Sequence, residues 1–145
     1  MNSIIKSKNC LPFTLILFIT IIILSLKYVN YSSKIFLILC LISQIIALIA
    51  IYLDNKKLLG LTHIACGIGF IYGSLFIKDK ILNLIILAKL LFIIYTRSVR
   101  GNCMYDAFSK KYMDKLPLND DFGNVFYFSF LILNIYNFLY INKIN

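Results

Sequence analysis

Residues 35–53 read IFLILCLISQIIALIAIYL, and nothing in this stretch carries a charge. As a helix rising about 1.5 Å per residue, it is long enough to cross roughly 30 Å of hydrocarbon. Its apolar side chains follow one another without the helical spacing that would leave a polar face for water. Lys34 before it and Asp54 after it mark where the apolar run stops.

Four more blocks of the same kind lie at 11–26, 58–77, 81–96 and 122–141. They predict an all-α fold: an integral membrane helical bundle of about five transmembrane helices, forming a single multi-pass domain over 1–145. The first and fourth blocks are short for a crossing, and Lys89 interrupts the fourth. Pro12 suits a first helical turn, Ser32 and Ser33 are expected to cap the second block, and Asp54 or Asn55 the third. Asn119, Asp120 and Asp121 offer caps for the fifth, just after Pro117. The connections 54–57 and 78–80 allow only tight antiparallel hairpins, so the second, third and fourth blocks are expected to pack as neighbours.

Composition agrees. Of the 145 residues, 61% are hydrophobic and 14% charged, too little charge to cover a soluble domain of this size. The net charge of +9 comes from fifteen Lys and Arg against six acidic residues, all Asp. In a soluble chain that excess would suggest nucleic acid. Here nearly every basic residue sits in a gap between apolar blocks, where the positive-inside bias and anionic headgroups account for it, so the lipid bilayer is the expected partner and nucleic acid is not. The abundance of Ile, Asn, Lys, Tyr and Phe without any Trp is what an AT-rich genome encodes.

Orientation follows from the loops. Lys6, Lys8, Lys56, Lys57, Arg97, Arg100, Lys110, Lys111 and Lys115 fall on the amino-terminal side, against Lys27, Lys34, Lys78, Lys80 and Lys143 on the other. That bias predicts a cytoplasmic amino terminus and a carboxyl terminus outside. The first block is expected to be an uncleaved span rather than a signal peptide, because its apolar run is long for an h-region and no small-x-small site follows Leu26. Asn30-Tyr31-Ser32 spells a glycosylation sequon, expected to stay unmodified so close to two helix ends.

Lys89 is the most informative residue, because an ammonium near the middle of a span costs several kcal/mol on insertion scales. By position it shares its depth with Gln44 of the second block and Asn134 of the fifth, and His63 of the third block is the remaining polar candidate for such an intramembrane layer. Two readings stand open. Lys89 snorkels along its own stem toward Arg97 while Gln44 and Asn134 act as interhelical glue, or the layer holds a solute or ion. Every Asp lies in a loop or at a block end, which disfavours a coupled cation carrier but not an anion site. His63 is the only histidine and has no acidic neighbour at its depth, so a structural role is expected and no metal or other cofactor.

Ala65, Gly69 and Gly73 form a small-residue stripe at four-residue spacing, suited to close helix packing, with Ser43, Ala47 and Ala50 as an opposing surface. Packing inside the hairpin is the first expectation and self-association the second. Between the fourth and fifth blocks, 97–121 carries Tyr105, Phe108 and Tyr112 opposite Lys110, Lys111 and Lys115, the pattern of a short amphipathic helix lying in the inner interface, with a solvated loop as the alternative. Cys10 and Cys103 fall at the inner boundary and are expected as unmodified thiols.

No catalytic arrangement can be assembled from these residues. The expected function is therefore a non-enzymatic membrane component that assembles with itself or with other membrane proteins, or shapes the bilayer, without a small-molecule substrate. The alternative is a small transporter or pore for anions or polar solutes using the mid-bilayer polar layer.

Overall fold

The computed structural model describes residues 10–76, 78–100 and 120–144, with side chains described for 10–76, 78–99 and 125–140. Among these residues the chain is all-helical, with no strand. Five helices follow in order: α1 (Cys10–Ser25), α2 (Tyr31–Tyr52), α3 (Lys56–Phe76), α4 (Lys80–Arg100) and α5 (Asp120–Ile144). Three of them, α2, α3 and α4, are long and apolar enough to cross a membrane, whereas the apolar parts of α1 and α5 are shorter.

The turns show how local chemistry sets the helix ends. Asn30, not Ser32 or Ser33, caps α2: its Oδ1 accepts from the Ser33 N–H at 2.9 Å and from the Ser32 hydroxyl at 3.0 Å. The helix starts at Tyr31, four residues before the apolar block, so both serines lie inside its first turn and the extended Asn30 before them is in the capping position. At the other end of α2, the Asn55 N–H bonds the Ala50 carbonyl at 2.8 Å and the Asp54 N–H bonds that of Ile51 at 3.2 Å. This is a Schellman closure, and it places Asp54 in the left-handed region at φ 47°. Asn55 then caps α3 by accepting from the Leu58 N–H at 3.0 Å.

Asp79 ties two turns together. Its Oδ1 accepts from the N–H groups of Ile81 and Leu82 at 3.0 and 3.1 Å, capping α4, while its Oδ2 accepts from the Asn30 N–H at 3.0 Å. The start of α2 and the start of α4 are thereby fixed to one buried carboxylate.

Packing is organised as two hairpins. α2 packs most extensively on α3, and α4 on α5 more than on its expected neighbour α3, which it also touches, with α1 lying along α2. Cys10, Leu11, Leu15, Ala47, Ala50 and Leu59 make one buried apolar cluster. Ile22, Val29, Leu37, Phe70, Leu82, Ile86 and Leu90 make the second, nearer the α1–α2 and α3–α4 turns. Ala47 and Ala50 thus face α1 and the first turn of α3, away from the glycines of the stripe. A Cβ on Gly73 would come within 2.6 Å of Ile86 Cδ1 and 3.1 Å of Phe36 Cζ, so among the described glycines this is the one against which neighbouring side chains pack closely enough that they would have to shift. Gly69 has only Phe36 near it, at 4.0 Å, and Ala65 is exposed.

α4 continues through Arg100, past the block end at 96, because no helix breaker precedes Gly101. The interfacial helix expected from Tyr105, Phe108, Lys110, Lys111, Tyr112 and Lys115 lies outside the described residues.

Asp79→Ala is expected to cost about 2 kcal/mol, the sum of a lost cap and an orphaned Asn30 N–H. Asp54→Gly should gain roughly 0.5–1 kcal/mol by relieving a left-handed side-chain residue. Unfolding of each purified variant in detergent, followed by circular dichroism, checks both signs.

Candidate functional site

Buried polar side chains are spread along the bundle, and several of the residues singled out in the sequence lie near its middle. On α2 the middle falls between Leu37 and Ala47 and contains Gln44; on α3 it falls between Leu59 and Phe70 and contains His63 and Cys66. Phe18 lies midway along α1, and on α4 Lys89 lies between Ile86 and Leu90 of the second cluster. Helical spacing turns Phe18 and Phe70 inward, where both rings meet the lysine.

The Lys89 Nζ lies 5.4 Å from the centroid of the Phe18 ring and 5.4 Å from that of Phe70. Two aromatic faces attract an ammonium through their quadrupoles, by about 2 kcal/mol or more where water is excluded. They accept no full hydrogen bond, however, and an ammonium has three donors to satisfy. Phe18 is itself held by an edge contact to Phe92, with centroids 6.1 Å apart. Among the described residues no carboxylate forms an ion pair with Lys89.

Lys89 and Gln44 line the same cavity, of about 530 Å³, between α2, α3 and α4 and closed at its back by Phe18 and Ile22 of α1. Gln44 is 5% exposed and its Oε1 has no hydrogen-bond partner among the described residues. Ser32, Cys40, Ser43, Cys66, Tyr72 and Lys78 complete the polar part of the lining, both cysteines as thiols. The rest is apolar. From Ser32 to Gln44 the α2 wall extends about 18 Å at helical rise, and the cavity reaches Lys78 at the end away from Lys89. Exposed Ile35, Leu39, Ile68 and Tyr72 border it, so it opens sideways through the outer surface between α2 and α3. Ala65 and Gly69 belong to this lining, which puts part of the small-residue stripe on the wall of a groove.

The other two residues of the polar layer lie elsewhere. His63 is half-buried on α3, outside the cavity lining and within electrostatic reach of Arg97. Asn134 is fully buried on α5, donating from Nδ2 to the Ser74 hydroxyl at 2.6 Å and to the Phe130 carbonyl at 2.8 Å. Asn137 donates to the Ser74 carbonyl at 2.5 Å, completing a polar clamp between α3 and α5. Ser74 lies two residues from the end of α3 and Lys89 nine from the start of α4, so the clamp is about 10 Å nearer the α3–α4 turn than the ammonium.

Several contributors are not singled out by the sequence. Asn83 is 1% exposed, and neither end of its amide has a partner among the described residues. A polar residue inside an apolar block was a visible signal there. Phe18 and Phe70 carried none, because nothing distinguishes two phenylalanines from the ten others. Among the described residues no group of three or more His, Cys, Asp or Glu side chains is placed to hold a metal.

Comparison with known protein families, with characterised proteins and with solved structures finds no match to this chain.

The two buried asparagines should respond oppositely to the same change. Asn134→Leu breaks the bond to Ser74 and is expected to lose about 1 kcal/mol. Asn83→Leu removes an unpaired buried amide at similar volume and should gain on the order of 1 kcal/mol. Thermal midpoints in detergent give the comparison, and a loss in Asn83→Leu would reveal a partner for its amide.

Proposed function

We propose that this chain is a non-enzymatic membrane protein with five crossings, its amino terminus cytoplasmic and its carboxyl terminus outside. It works by assembling with itself or other membrane proteins within the bilayer. The observation that carries this reading is the sidedness of the side chains. Large apolar residues point outward on every helix: Leu24 on α1, Leu39 on α2, Ile68 on α3, Leu84 on α4 and Ile132 on α5 are each more than half exposed. Gln44, Thr62, Ser74, Asn83, Thr96 and Asn134 are buried instead. Water would select the opposite arrangement, and exposed apolar surface on this scale needs a hydrocarbon surround.

The aromatic residues support the same reading. Exposed Tyr28, Tyr31, Tyr72 and Phe76 cluster around the α1–α2 and α3–α4 turns, while Tyr52, 90% exposed, marks the opposite end of α2. Tyrosines at both ends of apolar helices match the aromatic belts of a bilayer. α1, with sixteen helical residues, reaches about 24 Å and needs modest thinning or recruited flanks to cross.

The hydroxyl groups favour a role without catalysis. Thr20, Ser25, Thr62, Thr96, Ser98 and Ser129 each donate to a carbonyl of their own helix, as hydroxyls in apolar surroundings do, rather than standing poised beside a base. Conduction is less well supported than assembly, since the polar groups that a continuous path needs are divided between the Lys89 cavity and the separate Ser74 clamp.

Two measurements test this reading. The chain should stay with the membrane pellet through alkaline carbonate washing, and tags at the two termini should be accessible from opposite sides; release into the supernatant, or tags on one side, overturns it. Liposomes containing the protein should pass anions and polar solutes no faster than empty ones, and a flux abolished by Lys89→Leu would replace assembly with transport.

A further inference from the structure

The cavity at Lys89 has chemistry that assembly does not use. Among the described residues no carboxylate lies beside its ammonium, which is held between two rings, and the same lining includes Gln44, nineteen-twentieths buried, whose amide oxygen has no partner among those residues. An uncompensated charge in low-dielectric surroundings is costly until an opposite charge joins it. Two lysines line the cavity. Lys78 is exposed at the turn, where its surroundings can balance it, and Lys89 is the one positive group held inside, so the charge that balances it there is a monoanion. No arginine lines the cavity to meet the extra charge and extra oxygens of a phosphate.

The remaining space describes the rest of the ligand. About 530 Å³ lies within the roughly 300–1,000 Å³ that bound small molecules occupy. It is a long apolar groove rather than a round chamber, bordered by Ile35, Leu39, Ile68 and Phe36, and it opens through the outward apolar surface. A molecule dissolved in the acyl region reaches it without passing through water.

We infer that this groove binds a long-chain carboxylic acid, its carboxylate on the Lys89 ammonium and its chain lying between α2 and α3 toward Ser32 and Lys78. The Gln44 amide offers its N–H to a carboxylate oxygen, or its carbonyl to the hydroxyl of the protonated acid, so either protonation state is met by a partner. Ala65 and Gly69 leave room for the chain where larger side chains would fill the groove. The inference rests on the membrane reading above and adds to it a ligand class and a site.

The test is equilibrium binding of radiolabelled palmitate to the purified full-length chain in nanodiscs of zwitterionic lipid. Wild type should bind saturably, with competition by unlabelled palmitate and none by hexadecanol, which has the chain without the charge. Lys89→Met should weaken binding about tenfold or more, as expected for a lost charge-assisted hydrogen bond. Ala65→Phe, which leaves the ammonium in place and blocks the chain, should weaken it comparably, and Lys27→Met on the exposed turn should not. Each variant is first matched to wild type in elution and thermal midpoint; should Lys89→Met fail that match, Ala65→Phe and Gln44→Leu decide. Equal binding of hexadecanol, preference for hexadecyl phosphate, or undiminished binding in the matched variants overturns the assignment. A chain that resists carbonate washing yet binds no palmitate loses this inference alone, whereas a chain released by carbonate loses the membrane reading.

Discussion

Side chains that face outward on these helices are apolar, and that constraint governs where every polar group can go. A serine, asparagine or lysine on such a helix has to bond its own backbone, bond another helix, or extend toward an end. All three solutions occur. Hydroxyls on four helices return to carbonyls three or four residues earlier, and Asn134 and Asn137 close on Ser74 across α3 and α5. Asp79 gathers three N–H groups from two helix starts. Backbone groups at the turns are satisfied by short polar side chains at the helix boundaries, so the ends of the apolar helices and the caps coincide.

Lys89 is the exception that gives the molecule a site. It is too far from either end of α4 to be solvated there without bending its stem along the helix, and the two phenylalanines give it a local, partial solution instead. Cation–π contacts lower the cost of the charge but leave its donors unsatisfied. The adjoining cavity, with Gln44 in the same condition, is therefore connected to Lys89 by energetics as well as by position. Small residues leave the cavity its room: Ala65 and Gly69 line it, while at Gly73 Phe36 and Ile86 close in.

Much of the helical frame was legible in the order of residues. Charge-free runs give the positions of the helices to within a few residues, and the tight 54–57 connection fixed α2 and α3 as a hairpin. Caps were less legible: several polar residues flank each end, and the choice of Asn30 over Ser32 and Ser33 depends on backbone angles that no spacing rule specifies. The end of α4 was misplaced for a related reason, since polarity at Arg97 marks a change of surroundings, not a break in the backbone. The polar layer was read from depth alone. In the structure Gln44 and Lys89 line one cavity, whereas Asn134 bonds Ser74 nearer the α3–α4 turn, a partnership that depth along separate helices does not specify.

Sequence alone determined that the described chain is helical and roughly where its apolar helices lie, because hydrophobicity is a property of a single segment. It counted about five crossings with the fourth block short, whereas three of the described helices are long and apolar enough, α4 among them because it runs on past residue 96. Only the tertiary structure decided which groups meet: that Phe18 and Phe70 enclose Lys89, that Gln44 shares its cavity, that α4 packs chiefly on α5, and that Ser74 takes Asn134. The reason is rotational. On a helix that is apolar nearly all round, the hydrophobic pattern does not fix which face turns inward, so rotation and neighbour are settled only when side chains from separate helices fit against one another.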